Sequence, residues 1–449
     1  MKIAWFTPYN IESAIGRYSK FATAALQKYV DVDIFVLQSK QRRHESECRI
    51  VYYTLENVGE ILLKYDLAVY NIGDNSLYHS GIYDVLQLYP GIIIIHDISL
   101  HNFMRGYYLL HRNQPDIFRA LLEDEFGTAE AERLIRIGNN PEEYTKLDFL
   151  KYNLSKHIAN NAFGVVVHSK YHKKYLREYY QGSMAIIAHL NTNDNLDKLD
   201  ESVEFNGYQI GKTHILTVGN LNENKRIHSI IEVLGKNSKL AEAFDYTIVG
   251  SKSNKYYCDY LNKLIKLYKL ENVVNMVGYA SHEELAYYYH GADIISNLRF
   301  PAYEGASGSI VEQMAIGKCC MVSDTGVYSE IDEDCLIKIN PQFEVEQITN
   351  ILYDCLNEKV NILDIEQKAK DYAEKHFDRD IYAKKIYEFF KEIVFQRPLH
   401  VVKDKCINIM TDMPTIADTS MPQRLANITN ELYGFRTNAN IIQKIVRRK

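Results

Sequence analysis

Residues 293–322 read DIISNLRFPAYEGASGSIVEQMAIGKCCMV. The stretch opens on a short apolar run, Asp293–Ser296, that has the look of a buried strand. It turns irregular through Asn297, Arg299 and Pro301 and stays loop-like to about Gly308. From there to Gly317 it reads as a helix, and a second apolar run begins at Cys319. Strand, loop, helix and strand in that order belong to a parallel sheet covered by helices. The loop falls where open parallel sheets hold their ligands, just beyond the carboxyl end of a strand.

The same rhythm extends in both directions. Upstream in this half, strands are expected at His214–Val218, Tyr246–Val249 and Val273–Val277, and downstream at Leu336–Ile339. Ser281 followed by Glu284 is a capping box opening a helix between two of them. The first half repeats the pattern with Lys2–Phe6, Val32–Leu37, Leu67–Ile72, Ile92–Ile95, Val165–His168 and Ala185–Ala188. The long interval from His101 to Asn161 reads as helices, such as Gln114–Glu123 and Pro141–Asn160, and suits an acceptor-recognition insertion. Between the two series lies the polar segment Asn191–Asn206, a linker composition. The expected organisation is an N-terminal Rossmann-like, acceptor-side domain at 1–190, a linker at 191–212 and a second Rossmann-like domain at 213–377. A helix at 378–396, broken by Pro398, packs back on the first domain. The tail, 397–449, has a helix-like end with Leu425, Ile428 and Leu432 on one face, suited to a partner or a membrane surface.

At 449 residues the chain is long enough for two cores. A net charge of -6 argues against a nucleic-acid surface spread over the chain. The seven cysteines form no C-x-x-C pair and no zinc spacing, which suits a reducing compartment. The chain starts directly on a strand-like run and has no apolar stretch of about 20 residues. The expected location is therefore cytoplasmic, with peripheral contact at the inner face of a membrane left open.

Residues at strand ends are the candidates for chemistry. Gly16 opens the helix after the first strand, where amides can face a phosphate. His96-Asp97 follows Ile92–Ile95, and Asn75 follows the strand before it. Asn220, Lys225 and Arg226 follow the first strand of the second half, a glycine turn leading to a basic pair suited to a diphosphate. In the opening stretch, Glu304 sits in the loop and Glu312 in the helix. Carboxylates bind sugar and ribose hydroxyls by accepting hydrogen bonds, and the small residues Gly305, Ala306 and Ser307 leave backbone amides accessible.

Glu304 and Glu312, with Ala315, Gly317, Val322-Ser323-Asp324 and the Gly326–Glu330 segment, together resemble the signature of glycosyltransferase family 4. That family consists of retaining, metal-independent enzymes of the GT-B fold, in which two Rossmann-like domains face each other across a cleft. The resemblance covers most of 213–335 and reaches 1–190 more loosely through Gly16, Asn75, His96-Asp97 and Val167-His168-Ser169. It implies an α/β fold of the GT-B type with an extra C-terminal tail. Glu304 would then contact the donor sugar and Glu312 the ribose. Lys225 would hold the diphosphate and stabilise it as it leaves, and His96 would lie beside the sugar, so that His96, Lys225 and Glu304 form the catalytic set. Gly16, Asn220, Arg226, Gly305, Ala306 and Ser307 would complete the donor site, with Asn75 and Asp97 on the acceptor side. The chain departs from the family at Asn220, where Arg is usual, and at Ile15, where a second glycine is common.

The activity so implied is transfer of a hexose or deoxyhexose from a nucleotide sugar to a glycan or lipid-linked acceptor, in cell-surface polysaccharide or glycolipid synthesis. No cofactor or metal is expected. The acid pairs Asp31/Asp33, Asp332/Asp334 and Asp378/Asp380 are poorly placed for a metal-bound diphosphate and read as solvated acids. The alternative is a non-catalytic or partner-dependent GT-B protein acting as a glycosyltransferase subunit. A nicotinamide oxidoreductase is disfavoured by the absent G-x-G-x-x-G. The basic run Lys170–Lys174 with Arg177 fits either a membrane-borne acceptor or an exposed helix face.

Overall fold

The computed structural model describes residues 1–10, 13–37, 44–193, 196, 199, 208–209 and 211–412, with side chains described to residue 396, residue 282 excepted. Residues 11–12, much of the linker and the expected helix around Leu425 lie outside the described residues. Met1–Tyr387 forms one compact unit built around two parallel sheets.

The first sheet contains β1 (Lys2–Phe6), β2 (Asp31–Leu37), β3 (Ile50–Tyr53), β4 (Leu67–Ile72), β5 (Ile92–Ile95), β6 (Gly164–Val167) and β7 (Ser183–Ile186), in the order β3-β2-β1-β4-β5-β6-β7. The second contains β8 (Thr213–Val218), β9 (Phe244–Val249), β10 (Val274–Gly278), β11 (Ile294–Asn297), β12 (Cys320–Ser323) and β13 (Ile337–Ile339), in the order β10-β9-β8-β11-β12-β13. Every pairing is parallel, as in Ile3↔Leu67 and Ile294↔Ile215. Strands such as the tetra-isoleucine β5 are buried along their whole length because helices cover both faces of the sheet. In each sheet the order reverses beside the first strand, between β1 and β4 and between β8 and β11. Crevices at such reversals open at the carboxyl ends of the strands. The candidate residues follow β4, β5, β8 and β11.

Two expectations require correction, and one strand lies outside them. The edge strand β3 was not foreseen: it is short and its Tyr52 faces outward, so it lacks the continuous apolar run of the inner strands. The segment 141–160 is not one helix. Helical turns form at Pro141–Tyr144 and Lys156–Ala159, but between them Asp148 accepts from the Leu150 and Lys151 amides and Leu154 takes a positive φ of 55°. Side-chain bonds of this kind offer the backbone an alternative to the helical ladder. Finally, the last helix runs Arg379–Asp412 and is not ended by Pro398. A proline forfeits one bond of the ladder and kinks a helix as readily as it stops one.

The first turns of that last helix lie on the helix Ala14–Leu26. Tyr382 Oη bonds to Tyr18 Oη, and Lys28 pairs with Asp380 at 2.5 Å. The Arg379 guanidinium lies 3.9 Å from the centre of the Phe21 ring and donates to the Asn191 carbonyl. Beyond Tyr387 the chain is a separate unit, Glu388–Lys449, helical through its described residues. Among the described residues no helix is long and apolar enough to cross a membrane.

Candidate functional site

Behind β8 the chain turns at Gly219, with φ 109°, and passes through a 3-10 turn, Glu223–Lys225, before the helix Ile227–Lys236. Lys225 is thereby folded back under the turn, and its ammonium donates to the Val218 carbonyl at 2.8 Å. The side chain is buried. Burial, reinforced by the Arg299 charge, holds its pKa well below the ordinary lysine value, with Glu304 acting in the opposite direction. Arg299, just past β11, is 7% exposed. Its Nε lies 3.3 Å from Glu304 Oε1, the oxygen that also accepts from Tyr328 Oη at 2.9 Å. Lys225, Arg299 and Glu304 thus gather at the mouth of the second sheet's reversal, two cations to one carboxylate. A buried excess of positive charge with donors at hand is suited to a phosphate-bearing anion.

The loop carrying Glu304 is clamped against the first domain. Gly305 N–H donates to the His96 carbonyl at 3.0 Å and Ile98 N–H to the Tyr303 carbonyl at 3.0 Å. These bonds form an isolated antiparallel bridge, Asp97↔Glu304. Ser169 Oγ donates to the Gly305 carbonyl at 2.8 Å. Glu330 reaches across to accept from the Lys170 and Tyr171 amides at 2.9 and 2.5 Å. It thereby caps the helix Lys170–Arg177 with a charge of the sign that a helix N-terminus favours.

The helix Gly308–Ala315 starts from this loop, with Ser307 as its N-cap accepting from the Ile310 amide. Its seat is fixed by Asn297 Nδ2, which donates to Gln313 Oε1 at 2.7 Å and Ser309 Oγ at 3.1 Å. Glu312 projects to the linker, where Thr192 Oγ1 donates to it at 2.5 Å, and to Arg17 of the first domain, 3.6 Å away. Ala306 is half-buried in the bend between Gly305 and Ser307.

The remaining sequence candidates have other partners. Arg226 takes a left-handed φ of 55° and is turned onto the buried Glu344, to which its Nε donates at 3.0 Å. It is therefore a structural ion pair, outside the Lys225–Glu304 group. Asn220 is exposed on its loop. Gly16 donates its amide to Ser13 Oγ as part of the helix cap. A Cβ there would lie 2.5 Å from the Pro8 carbonyl oxygen, so close backbone packing accounts for the glycine. Asn75 caps the helix Ser76–Leu88 by accepting from the Leu77 amide. Asp97 Oδ2 accepts from the Asp74 amide at 2.8 Å and ties two strand-end loops together. Burial raises its pKa to about 6. His96 is buried, with both ring nitrogens engaged by Asn71 and His168.

Arg17, Tyr328 and His172 have no reading as site residues in the sequence, whereas Ser169 follows β6 beside His168, Glu330 ends the Gly326–Glu330 segment, and Arg299 is open as a substitute for the cation absent at Asn220. Arg299 had a legible signal, since it is the first charged residue after β11. The others reach the site through contacts between distant segments. Among the acid pairs, Asp33 is not solvated: it is 8% exposed, accepts from Tyr65 Oη at 2.5 Å and pairs with Lys2. Among the described residues no group of three or more metal-ligating side chains comes together.

Residues 200–375 match the family described as glycosyl transferases group 1. No curated protein matches the chain. Among solved structures, sucrose-phosphate synthase from Thermosynechococcus elongatus superposes with a TM-score of 0.59 at 16% identity, covering 88% of this chain and 99% of that one. HepE from Anabaena, solved in complex with UDP, superposes with a TM-score of 0.57 at 16% identity over 87% of this chain and 100% of that one. A glycosyltransferase from Rickettsia africae gives 0.56 at 16% identity over 88% and 98%. The fold is GT-B, with two Rossmann-like domains, and the second domain is of the glycosyl transferases group 1 type.

Proposed function

We propose that this chain is a family 4 retaining glycosyltransferase. It would move a hexose or deoxyhexose from a nucleotide sugar to a glycan or lipid-linked acceptor in cell-surface polysaccharide or glycolipid synthesis. The observation that carries the reading is the pairing of two buried cations, Lys225 and Arg299, with the single carboxylate of Glu304. A diphosphate entering there would balance the two cations, and its negative charge would act against the burial that lowers the Lys225 pKa. Leaving-group charge would then be met by Lys225 and Arg299, so turnover should persist in EDTA. Arg299 would also supply the cation that Asn220 does not. UDP is the first nucleotide to try, because HepE was solved with it.

The test is calorimetry of UDP, GDP, ADP, CMP and their sugar conjugates, followed by transfer assays with the nucleotide that binds. Loss of one preorganised donor to a developing oxyanion costs on the order of 10²–10³ in rate. Lys225→Ala should lose that much, and unchanged turnover would reject the assignment. The alternative, a non-catalytic or partner-dependent subunit, has one observation in its favour. Glu304 and Glu312 are both engaged by protein groups, Arg299 and Tyr328 for one, Thr192 and Arg17 for the other. Transfer by the isolated chain would dismiss it.

A further inference from the structure

Histidines collect beside the loop that carries Glu304. His79, His96, His168 and His172 are buried, and His189 meets His168 with ring centroids 5.4 Å apart. One hydrogen-bonded chain through them can be followed from end to end. Asn71 Nδ2 donates to the Phe6 carbonyl at 3.0 Å, and Asn71 Oδ1 faces His96 Nε2 at 3.1 Å. His96 Nδ1 faces His168 Nε2 at 3.3 Å, and His168 Nδ1 faces the Ile187 carbonyl at 2.9 Å.

Both ends of this chain are carbonyl oxygens, which only accept. Asn71 must keep its amide nitrogen on Phe6, and His168 must carry a proton on Nδ1. Asn71 Oδ1 then requires a proton on His96 Nε2. In two neutral rings the nitrogens left over, His96 Nδ1 and His168 Nε2, present lone pairs to each other. Any neutral arrangement leaves one contact without a hydrogen. One further proton, shared between the rings, completes every bond.

Burial opposes that proton. It holds His168 at about 4, and with the His168 charge it holds His96 well below the usual value. Among the described residues no carboxylate bonds to either ring. The groups around the pair are Tyr18, which lies edge-on to both and bonds to Tyr382, and His79, His172 and His189. Acids on adjoining loops are engaged elsewhere: Asp97 with the Asp74 amide, Asp74 with the Phe103 amide, and Glu304 with Arg299. Arg17, on the Tyr18 helix, faces Glu312. The pair is therefore one proton short and without a counter-ion. The His96 carbonyl accepts from Gly305, which places the pair against the loop where the anion is expected.

We infer that the His96–His168 pair takes up one shared proton when a diphosphate anion binds at the Lys225–Glu304 loop. His168 acts as a positioning residue that holds the proton on His96. The inference relies on the preceding functional reading only for the source of the anion. Binding titrations at pH 7.0 in two buffers of different ionisation enthalpy measure protons taken up per ligand, with UDP and inorganic pyrophosphate as separate probes. Uptake approaching one proton is expected, and affinity should strengthen toward tenfold per unit fall in pH. The last proton of the phosphate, with an ionisation near 6, is released on binding and counts against the effect.

Lys225 could also take up a proton, so His168→Gln decides between them. A glutamine amide donates to His96 Nδ1, so that contact is satisfied with no added proton. UDP binding with the uptake abolished supports the pair. Uptake equal to wild type assigns it to Lys225 and overturns the inference, as does absence of uptake in the wild type. Pyrophosphate binding with uptake while UDP fails to bind would remove the nucleotide-sugar reading and leave the pair standing. Binding of neither overturns it. Should His168→Gln not fold, wild-type protein labelled with ¹⁵N-histidine gives the same answer. Two ring nitrogens must change from lone-pair to proton-sharing signals on adding the anion, and unchanged spectra overturn the inference.

Discussion

Gly219 and Lys225 are fitted to each other: a Cβ built on Gly219 would lie 2.7 Å from Lys225 Nζ. The glycine is doubly required, because its φ of 109° is also a conformation that side chains rarely adopt. Gly219→Ala should therefore strain the turn and push the ammonium off the Val218 carbonyl. The expected outcome is a loss of about 1–3 kcal/mol of stability together with weaker nucleotide binding. Titration of the variant with the nucleotide that binds wild type checks it. An alanine variant with native affinity would show that the position of Lys225 is immaterial to binding.

Arg226 offers the opposite case. Its guanidinium is bound to Glu344, which is 5% exposed and also accepts from Ser229. Removing one partner of a buried pair strands the other charge and typically costs about 3–5 kcal/mol. Arg226 is partly exposed, so the lower end applies. Arg226→Ala should lower the melting temperature while leaving nucleotide affinity within about twofold of wild type. Loss of affinity in a variant that remains folded would return Arg226 to the donor site.

The contrast between these neighbours marks how far the sequence could be read. Strand-end loops were legible because buried parallel strands are continuous apolar runs, and the residue after each run is easily located. That logic singles out Lys225 and Glu304, which the structure places together beside Arg299, whereas Glu312 lies within the helix Gly308–Ala315. The same logic could not separate Lys225 from Arg226, because the left-handed residue that turns one inward and the other outward leaves no mark in composition. Gly16 and Asn75 were legible as loop residues, but their roles as packing glycine and helix cap depend on Pro8 and Leu77. Contacts spanning the cleft, such as Glu330 with Lys170, join segments 160 residues apart and have no local signature.

That last contact is itself testable. Glu330 holds two amides at the start of the helix Lys170–Arg177, a charge-assisted cap between the domains. Solvent reaches part of it, so its removal should cost about 1 kcal/mol. Glu330→Ala should loosen the closed arrangement, giving a larger radius of gyration in small-angle scattering and faster proteolysis near Tyr171. Unchanged scattering and proteolysis would mean that the backbone bonds at Gly305 and Ile98 hold the domains closed unaided.

The buried histidines make acid stability a sensitive readout. Burial lowers His79 and His168 to about 4 and His172, with the His168 charge adding, to about 3. An unfolded chain titrates its histidines near 6.5. Between about 6.5 and 4 the unfolded chain thus binds protons that the native protein refuses, and stability is lost as pH falls through that window. Each such group contributes at most about 1.4 kcal/mol per pH unit. Asp97 and Asp74 act in the other direction. Burial raises them to about 6 and about 8, so they favour the native state as pH falls toward the ordinary carboxylate range, and they offset part of the loss. The histidines outnumber them, and the net slope should be destabilising toward acid. His172 is the informative variant, because it is fully buried and neither ring nitrogen has a partner. Relieving an unsatisfied buried group is worth about 1–3 kcal/mol. His172→Leu should therefore melt higher than wild type at pH 7 and lose less stability between pH 6.5 and 5. Melting curves across that range decide it, and an unaltered acid slope would show that His172 is already protonated or solvated in the native protein.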